Sequence, residues 1–390
     1  DTSAFDCIDL TDTGFQIKYN GTFINTNGDT YVYVAIRKGE NTATLDMSTG
    51  SVFEHTVTKD EKILLSNPAD SGVASNATLL LQNNYKDIST LSYDNIGLTG
   101  LEDSAPRAIQ FKTDGTKMYI LGAGNDKIYQ FSLSTPWDVS TFSYDSVSFS
   151  QITQETAAQG LWIKPDGTKF YLAGPSSDTV YQYSMSTAWD MSTASYDNVS
   201  KSVSTEDSSP SSLFFRKDGL KMFVLGNQYD KVFQYTLSTA WDISTATYDS
   251  KSLSLSTQDT NVKGMWFVDS KTIYIIGTGS SDSIFEYTLT TDWDVSTGSY
   301  TGNSYSFTTL DGNMEGMYIY KDKLYMVGSG TDKVFQFSLS SFAITYDDSI
   351  KFNGGTAPTA PSSGETDILT FSTRDGGTSY QAVLAMDGVS

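Results

Sequence analysis

A unit of 52 residues recurs along this chain, and it constrains the fold more than any other feature. Trp-Asp stands at 137–138, 189–190, 241–242 and 293–294, three equal steps of 52. Tyr-Asp begins at 93, 144, 196 and 248, with Tyr300 in the next place. Asp-Gly-Thr-Lys at 114–117 returns at 166–169, and as Asp-Gly-Leu-Lys at 218–221. Five copies are recognisable between Ser92 and Tyr346, and both ends are worn. Tyr85-Lys86-Asp87-Ile88-Ser89-Thr90 is a degraded Trp-Asp-x-Ser-Thr stretch, and the last copy ends Ser340-Ser341-Phe342 without it.

Within a copy the apolar residues alternate with period two, as in strands. In the third copy Ser200–Thr205 reads as a first strand and Leu213–Arg216 opens a second. A Lys217-Asp218-Gly219 turn follows, where Gly suits positive φ, then strands at Lys221–Gly226 and Lys231–Leu237. Four strands per unit, repeated at fixed spacing, predict an all-β fold with the four-stranded blades of a β-propeller. Closure into a ring removes the edge strands that an open β-solenoid would leave exposed. The copy number predicts five blades. A sixth could be assembled from Asn76–Gln82 and Tyr346–Phe352 if the two ends of the chain met.

Composition removes most catalytic classes. Among 390 residues there is one histidine, His55, outside the repeats, and one cysteine, Cys7. A Ser-His-Asp arrangement, a cysteine-rich zinc site and an intrachain disulfide framework are therefore excluded or confined to single residues. No Gly-x4-Gly-Lys phosphate loop occurs. Lys and Arg number 25 against 46 Asp and Glu, a formal charge of −21, which opposes nucleic-acid binding. No apolar run reaches the roughly 18–20 residues of a membrane helix. Paired carboxylates for glycoside hydrolysis remain available, but acids present in every copy belong first to the architecture of the repeat. The expectation is a protein that is not an enzyme.

Three series of repeated side chains invite a role. Gly122, Gly174, Gly226, Gly277 and Gly328 end the third strand of each copy, and Asp126, Asp178, Asp230, Asp282 and Asp332 follow them. That pattern reads as a turn, with Gly supplying the backbone geometry and Asp bonding local backbone. The Trp-Asp-x-Ser-Thr stretch reads as a loop closure whose indole packs between blades, with sugar stacking as the functional alternative. Asp103, Glu155, Asp207, Asp259 and Asp311 form a third series, again at steps of 52. In a propeller their loop shares a face with the Gly…Asp turns, so two acidic rings would gather there. Like charges raise one another's pKa unless a cation compensates, and Ca²⁺ favours several carboxylate oxygens. The expectations for the third series are accordingly two: solvated loop acids bonded to local backbone, or ligands of a Ca²⁺ ion near the ring axis.

The flanks carry further motifs. Gly14–Ile17 and Asn25–Ile36 read as two alternating strands around an Asn-Gly turn, a partial β-sandwich segment over 1–45. Residues 46–91 form a bridge, the repeats occupy 92–347, and 348–390 make a Pro/Gly linker and a C-terminal hairpin. That hairpin, Ile368–Thr373 and Thr378–Ala385 around Arg374-Asp375-Gly376-Gly377, needs the propeller or another subunit to cover it. A chain that opens at Asp1 without methionine is expected to be processed or part of a longer one.

The run Asn27-Gly28-Asp29-Thr30-Tyr31-Val32-Tyr33-Val34-Ala35 resembles the closing strands of a β-sandwich domain of bacteriophage tail proteins, with Asn27 where Ser is usual. The ending Gly354-Gly355-Thr356-Ala357-Pro358 through Thr366-Asp367 to Asp375-Gly376-Gly377-Thr378 resembles that of phage tail fibres. The propeller copies are similar to those of marine phage tail proteins. The resemblance implies a structural virion protein of the tail or fibre, displayed on the virion surface in the extracellular medium. Its implied partners are other virion subunits, copies of itself, and a host-surface glycan or protein, without nucleic acid or membrane insertion. A glycan depolymerase or glycosidase on the same scaffold, and a secreted bacterial adhesin, are the alternatives.

Overall fold

The protein is described from a computed structural model covering residues 8–11, 14–17, 42–47, 52–56, 61–66, 68, 75–83, 88–151, 153–339, 344–353, 355–358, 365–375 and 377–389. The chain divides into two compact units, residues 87–339 and, from both ends, residues 1–86 with 340–390.

Residues 87–339 form a five-bladed β-propeller. The first blade runs, inner to outer, through Pro106–Phe111, Lys117–Gly122, Lys127–Leu133 and Phe142–Ser150, all antiparallel. The next three blades repeat that order with inner strands Gly160–Ile163, Pro210–Phe215 and Val262–Phe267. The fifth takes only Met314–Tyr320, Lys323–Gly328 and Lys333–Leu339 from its own stretch of chain. Its outer strand is Leu91–Leu98, which lies before the first blade in sequence and pairs Tyr93 with Phe337 and Leu98 with Val334. Each inner strand touches its neighbours, including Met314–Tyr320 against Pro106–Phe111, so the ring closes.

The sequence unit and the sheet are thus out of phase by one strand. Ser200–Ser202, read as the start of the third copy, ends the outer strand of the preceding blade, Ala194–Ser202. The strands expected at Lys221–Gly226 and Lys231–Leu237 form with those bounds. The phase offset is what lets the first copy donate its first strand to the last blade.

Second and third strands are buried almost throughout because blades pack on both faces. Lys221–Gly226 buries Met222, Phe223, Val224 and Leu225, a continuous apolar run rather than an alternating one. Outer strands alternate because one face meets solvent, as in Ala194–Ser202. At their edge Lys117, Lys169 and Lys221 from the second strand reach Asp145, Asp197 and Asp249 of the Tyr-Asp motifs. Gln130, Gln182 and Gln234 of the third strand donate to the same carboxylates. Each of these glutamines also accepts from the backbone of the next blade, at Met191, Ile243 and Val295. In the fourth blade the trio changes together to Thr272, Thr301 and Glu286, and Glu286 accepts from Ile88 N–H.

Burial pushes the Asp145 and Asp197 carboxyls up, yet hydrogen bonds from Gln, Ser and Lys outweigh it and leave both below the usual value. A depressed carboxyl contributes stability that is complete above its unfolded pKa of about 4 and is lost as pH falls through the folded value. Melting temperature is therefore expected to drop steeply below about pH 4. Asp145→Asn is expected to flatten that acid limb while lowering Tm at neutral pH, and an unchanged limb would refute the assignment.

The ends of the chain form the other unit. Thr42–Asp46, Glu61–Ser66 and Ile344–Tyr346 make a parallel three-stranded sheet. Val52–Thr56, Ser75–Asn83, Glu365–Thr373, Tyr380–Val389 and Ile350–Phe352 make a mixed five-stranded one. Leu45, Phe53, Ile63, Leu79, Leu369 and Phe371 share one core. The segments proposed for a sixth blade, 76–82 and 346–352, belong to these sheets instead. The C-terminal hairpin pairs with Ser75–Asn83 of its own chain, and all nine residues 365–373 take part in that pairing. Separate flanking segments are thus replaced by one unit built from residues far apart in sequence. Gly14–Ile17 is a strand paired with Ile8–Thr11. The expected strand Asn25–Ile36 lies outside the described residues.

Candidate functional site

Acidic side chains of the 103/155/207/259/311 series sit in the loop entering each inner strand, and all five are buried. Each is spent on its own blade. Asp207 accepts from the N–H groups of Ser209, Gln228 and Tyr229 at 2.8, 3.2 and 3.0 Å. Asp103 takes the N–H groups of Ala105, Gly124 and Asn125. Glu155 takes Ala157, Ser176 and Ser177; Asp259 takes Asn261, Gly279 and Ser280; Asp311 takes Asn313, Gly330 and Thr331. The carboxylate staples the incoming loop to the turn between the second and third strands. The backbone reading of this series therefore describes the geometry, with burial in place of the expected solvation. The five acids are not brought together on the axis as a Ca²⁺ site would need, and among the described residues no three Asp, Glu, His or Cys side chains are grouped to hold a metal ion.

The Gly series belongs to the same device. A Cβ on Gly226 would overlap the Asp207 carboxylate, and Gly122, Gly277 and Gly328 stand likewise against Asp103, Asp259 and Asp311. None of these glycines has positive φ. The left-handed turn falls instead on Asp126, Asp178, Asp230, Asp282 and Asp332, with φ from 41 to 54°. The expected division of labour is reversed: Gly makes room and Asp makes the turn, a conformation Asp tolerates better than most residues. Burial, then the charges of Asp259 and Asp207, push the Asp230 carboxyl up.

Replacing Asp207 by Ala leaves three backbone donors without their acceptor. The expected loss is roughly 3 kcal/mol or more in unfolding free energy, with Asp207→Asn losing less because one amide oxygen still accepts. Equal Tm values for wild type and Asp207→Ala would overturn the staple.

Trp137, Trp189 and Trp241 clamp neighbouring blades. Their indoles cover Gly115, Gly167 and Gly219, where a Cβ would overlap the ring. Tyr119, Tyr171 and Tyr325 of the adjoining blades donate to the carbonyls of Trp189, Trp241 and Trp137 at 2.6–2.7 Å. Asp138, Asp190, Asp242 and Asp294 accept from the Ser two residues on. Packing between blades, rather than sugar stacking, is what this geometry serves.

One ring of positions departs from the repeat. Arg107, Gln159, Ser211, Lys263 and Glu315 are spaced by 52, and no two are alike. They line an axial cavity of about 10 Å³, room for about one water molecule. Arg107 Nη1 and Glu315 Oε1 form an ion pair. Lys263 Nζ stands 3.8 Å from Glu315 Oε2, and Ser329 Oγ donates to Oε1 at 3.0 Å. Burial pushes the Glu315 carboxyl up, and the two cations and the hydroxyl pull against it. Three residues deeper along the strand the axis is plugged by aromatics. Trp162, Phe214, Trp266 and Tyr318 meet with ring centroids 4.5–5.5 Å apart, and Gln110 fills the fifth place.

Ser104, Thr156, Ser208 and Thr260, each next to the stapling acid of one of the first four blades, are exposed, with Gly312 in the fifth place, and Gln228 and Tyr229 are exposed in the turn that Asp207 holds. Tyr229 is 57 % exposed. Sequence reasoning passed over position 107 and its equivalents. The available signal was that four unlike charged or polar residues and one serine interrupt otherwise matched strands.

A second departure lies at 151, 203, 255 and 307, where Gln replaces the Val, Leu and Phe of later copies. Gln151 is fully buried, and neither amide atom has a hydrogen-bond partner among the described residues. Gln151→Leu is expected to stabilise the protein by about 1–3 kcal/mol, read as a rise of several degrees in Tm. A lowered Tm would show that the amide is satisfied by something bound there.

No protein-family model matches the chain, and no curated protein does. Solved structures do. A functionally unknown protein from Desulfotomaculum acetoxidans is 12% identical with a TM-score of 0.41, covering 61% of this chain and 83% of its own. Virginiamycin B lyase from Staphylococcus aureus is 13% identical with a TM-score of 0.37, covering 64% and 100%. The Cps50 (Swd1) β-propeller domain from Myceliophteria thermophila is 9% identical with a TM-score of 0.34, covering 65% and 79%. These likenesses are too distant to carry any activity across to this chain. The fold and its axial mouth define a β-propeller of four-stranded blades.

Proposed function

We propose that the chain is a structural virion protein of the tail or fibre kind, whose propeller recognises a host-surface glycan outside the particle. The observation that carries the recognition half is the loop face. Its loops, which lead into the strands bearing the unlike polar ring, carry exposed hydroxyl and amide side chains and one exposed tyrosine, groups suited to sugar hydroxyls and ring faces. The virion half rests on the sequence resemblances at both ends of the chain. Binding rather than catalysis is the reading, because Glu315 is engaged by Arg107, Lys263 and Ser329 and the loop acids are engaged by backbone.

A glycan array paired with a reducing-sugar release assay tests it. Binding without release supports this reading. Release of reducing ends would assign a depolymerase instead, and an array with no bound glycan would reject glycan recognition altogether.

A further inference from the structure

We infer that the axial mouth receives a carboxylate, so that the glycan of the preceding section, on which this inference rests, carries an acidic sugar. Charge is the first argument. Two cations, Arg107 and Lys263, meet one anion, Glu315, at the mouth of a chain whose formal charge is −21. The acid is already saturated, by Arg107, by Lys263 and by the Ser329 hydroxyl.

The donors on the cations are not used up. Arg107 Nε is buried and has no hydrogen-bond partner among the described residues. Lys263 Nζ is beyond hydrogen-bonding distance of Glu315 at 3.8 Å, and its side chain is 14% exposed. A guanidinium N–H without a partner among the described residues, and an ammonium held only through an ion pair at 3.8 Å, both on residues lining a one-atom space, call for an anionic oxygen. Neutral oxygens would satisfy the hydrogen bonds and leave the surplus charge; a carboxylate answers both.

Size and field narrow the class. The space holds one oxygen rather than a whole phosphate or sulfate group, so the acid enters by one edge while its sugar ring stays at the rim. The general negative charge of the protein disfavours a densely charged polyanion and tolerates isolated acids on a neutral chain. Exposed hydroxyls of Ser104, Thr156, Ser208 and Thr260, each three residues before a ring position in sequence, are available to the remaining sugar hydroxyls.

The test uses the full chain and three probes, sodium glucuronate, its methyl ester and glucose, with binding read by saturation-transfer NMR and calorimetry. Binding of the acid, with the ester and glucose about tenfold weaker or undetected, supports the inference. Lys263→Gln should weaken acid binding about tenfold with little change in Tm, and Lys263→Arg should restore it. Since Arg107→Gln would strand Glu315 and could unfold the chain, the double variant Arg107→Gln/Glu315→Gln serves in its place, and it too should lose the preference for acid. Equal binding of acid, ester and glucose, indifferent to Lys263, overturns the carboxylate inference and leaves glycan recognition standing. Absence of binding to all three, joined with a blank glycan array, overturns both.

Discussion

A chain lacking Leu91–Leu98 is expected to lose its cooperative melt and to aggregate or migrate as an expanded species in gel filtration. Those eight residues are the whole outer strand of the fifth blade, paired with Lys333–Leu339 from Leu91–Leu339 to Leu98–Val334. Their removal strips hydrogen-bonding partners from the third strand of that blade and exposes Phe335 and Phe337, both buried. It also deletes Asp94, to which Lys323, Gln336 and Ser338 all donate. Lost apolar burial and orphaned polar groups together come to roughly 5 kcal/mol or more, a large part of the usual net stability of a domain. A deleted chain that still melts sharply near the wild-type temperature would show that the ring does not depend on its N-terminal strand.

Gly316→Val is expected to be nearly as severe. The residues one place beyond the polar ring are Ala108, Gly160, Ser212, Gly264 and Gly316, all small. Five inner strands meeting around one axis approach so closely that a Cβ on Gly316 would lie 2.6 Å from the Arg107 carbonyl oxygen and 2.7 Å from the Ala108 Cα. Those obstacles are backbone and cannot rotate away. The expected cost is about 3 kcal/mol or more for the valine, beyond the usual range for a single substitution. Gly302→Ala, at a positive-φ position with nothing within 4 Å of the new Cβ, separates the steric effect from loss of backbone freedom and should cost far less. A Gly316→Val protein with unchanged Tm would mean that the strands can part, contrary to a packed axis.

Strand positions and the clamp between blades were legible in the sequence because they depend on neighbours within one copy. Lys221–Gly226 and Lys231–Leu237 could be bounded from their apolar runs and flanking turns, and Trp137 from its fixed distance to Asp138 and Ser140. The phase of the repeat was not legible, since a ring can be cut at any strand without changing its period. The meaning of Gly226 was hidden for a related reason. Only pairing shows that Asp207, nineteen residues earlier, lies where its side chain would be. The mouth needed more still, because Arg107 and Glu315 are separated by most of the propeller in sequence and meet only on closure. Residues 42–83 and 344–389 carry no repeat, so nothing local announced that Ser75–Asn83 would pair with Glu365–Thr373.

Near-fivefold geometry also governs stoichiometry. A feature supplied by four of the five copies, such as the Ser and Thr hydroxyls at 104, 156, 208 and 260, can recur around the wheel and hold several weak contacts at once. A point on the rotation axis occurs once. Whatever enters there is counted one per chain, and it breaks the equivalence of the blades, fixing the angle at which everything gathered at the periphery must sit.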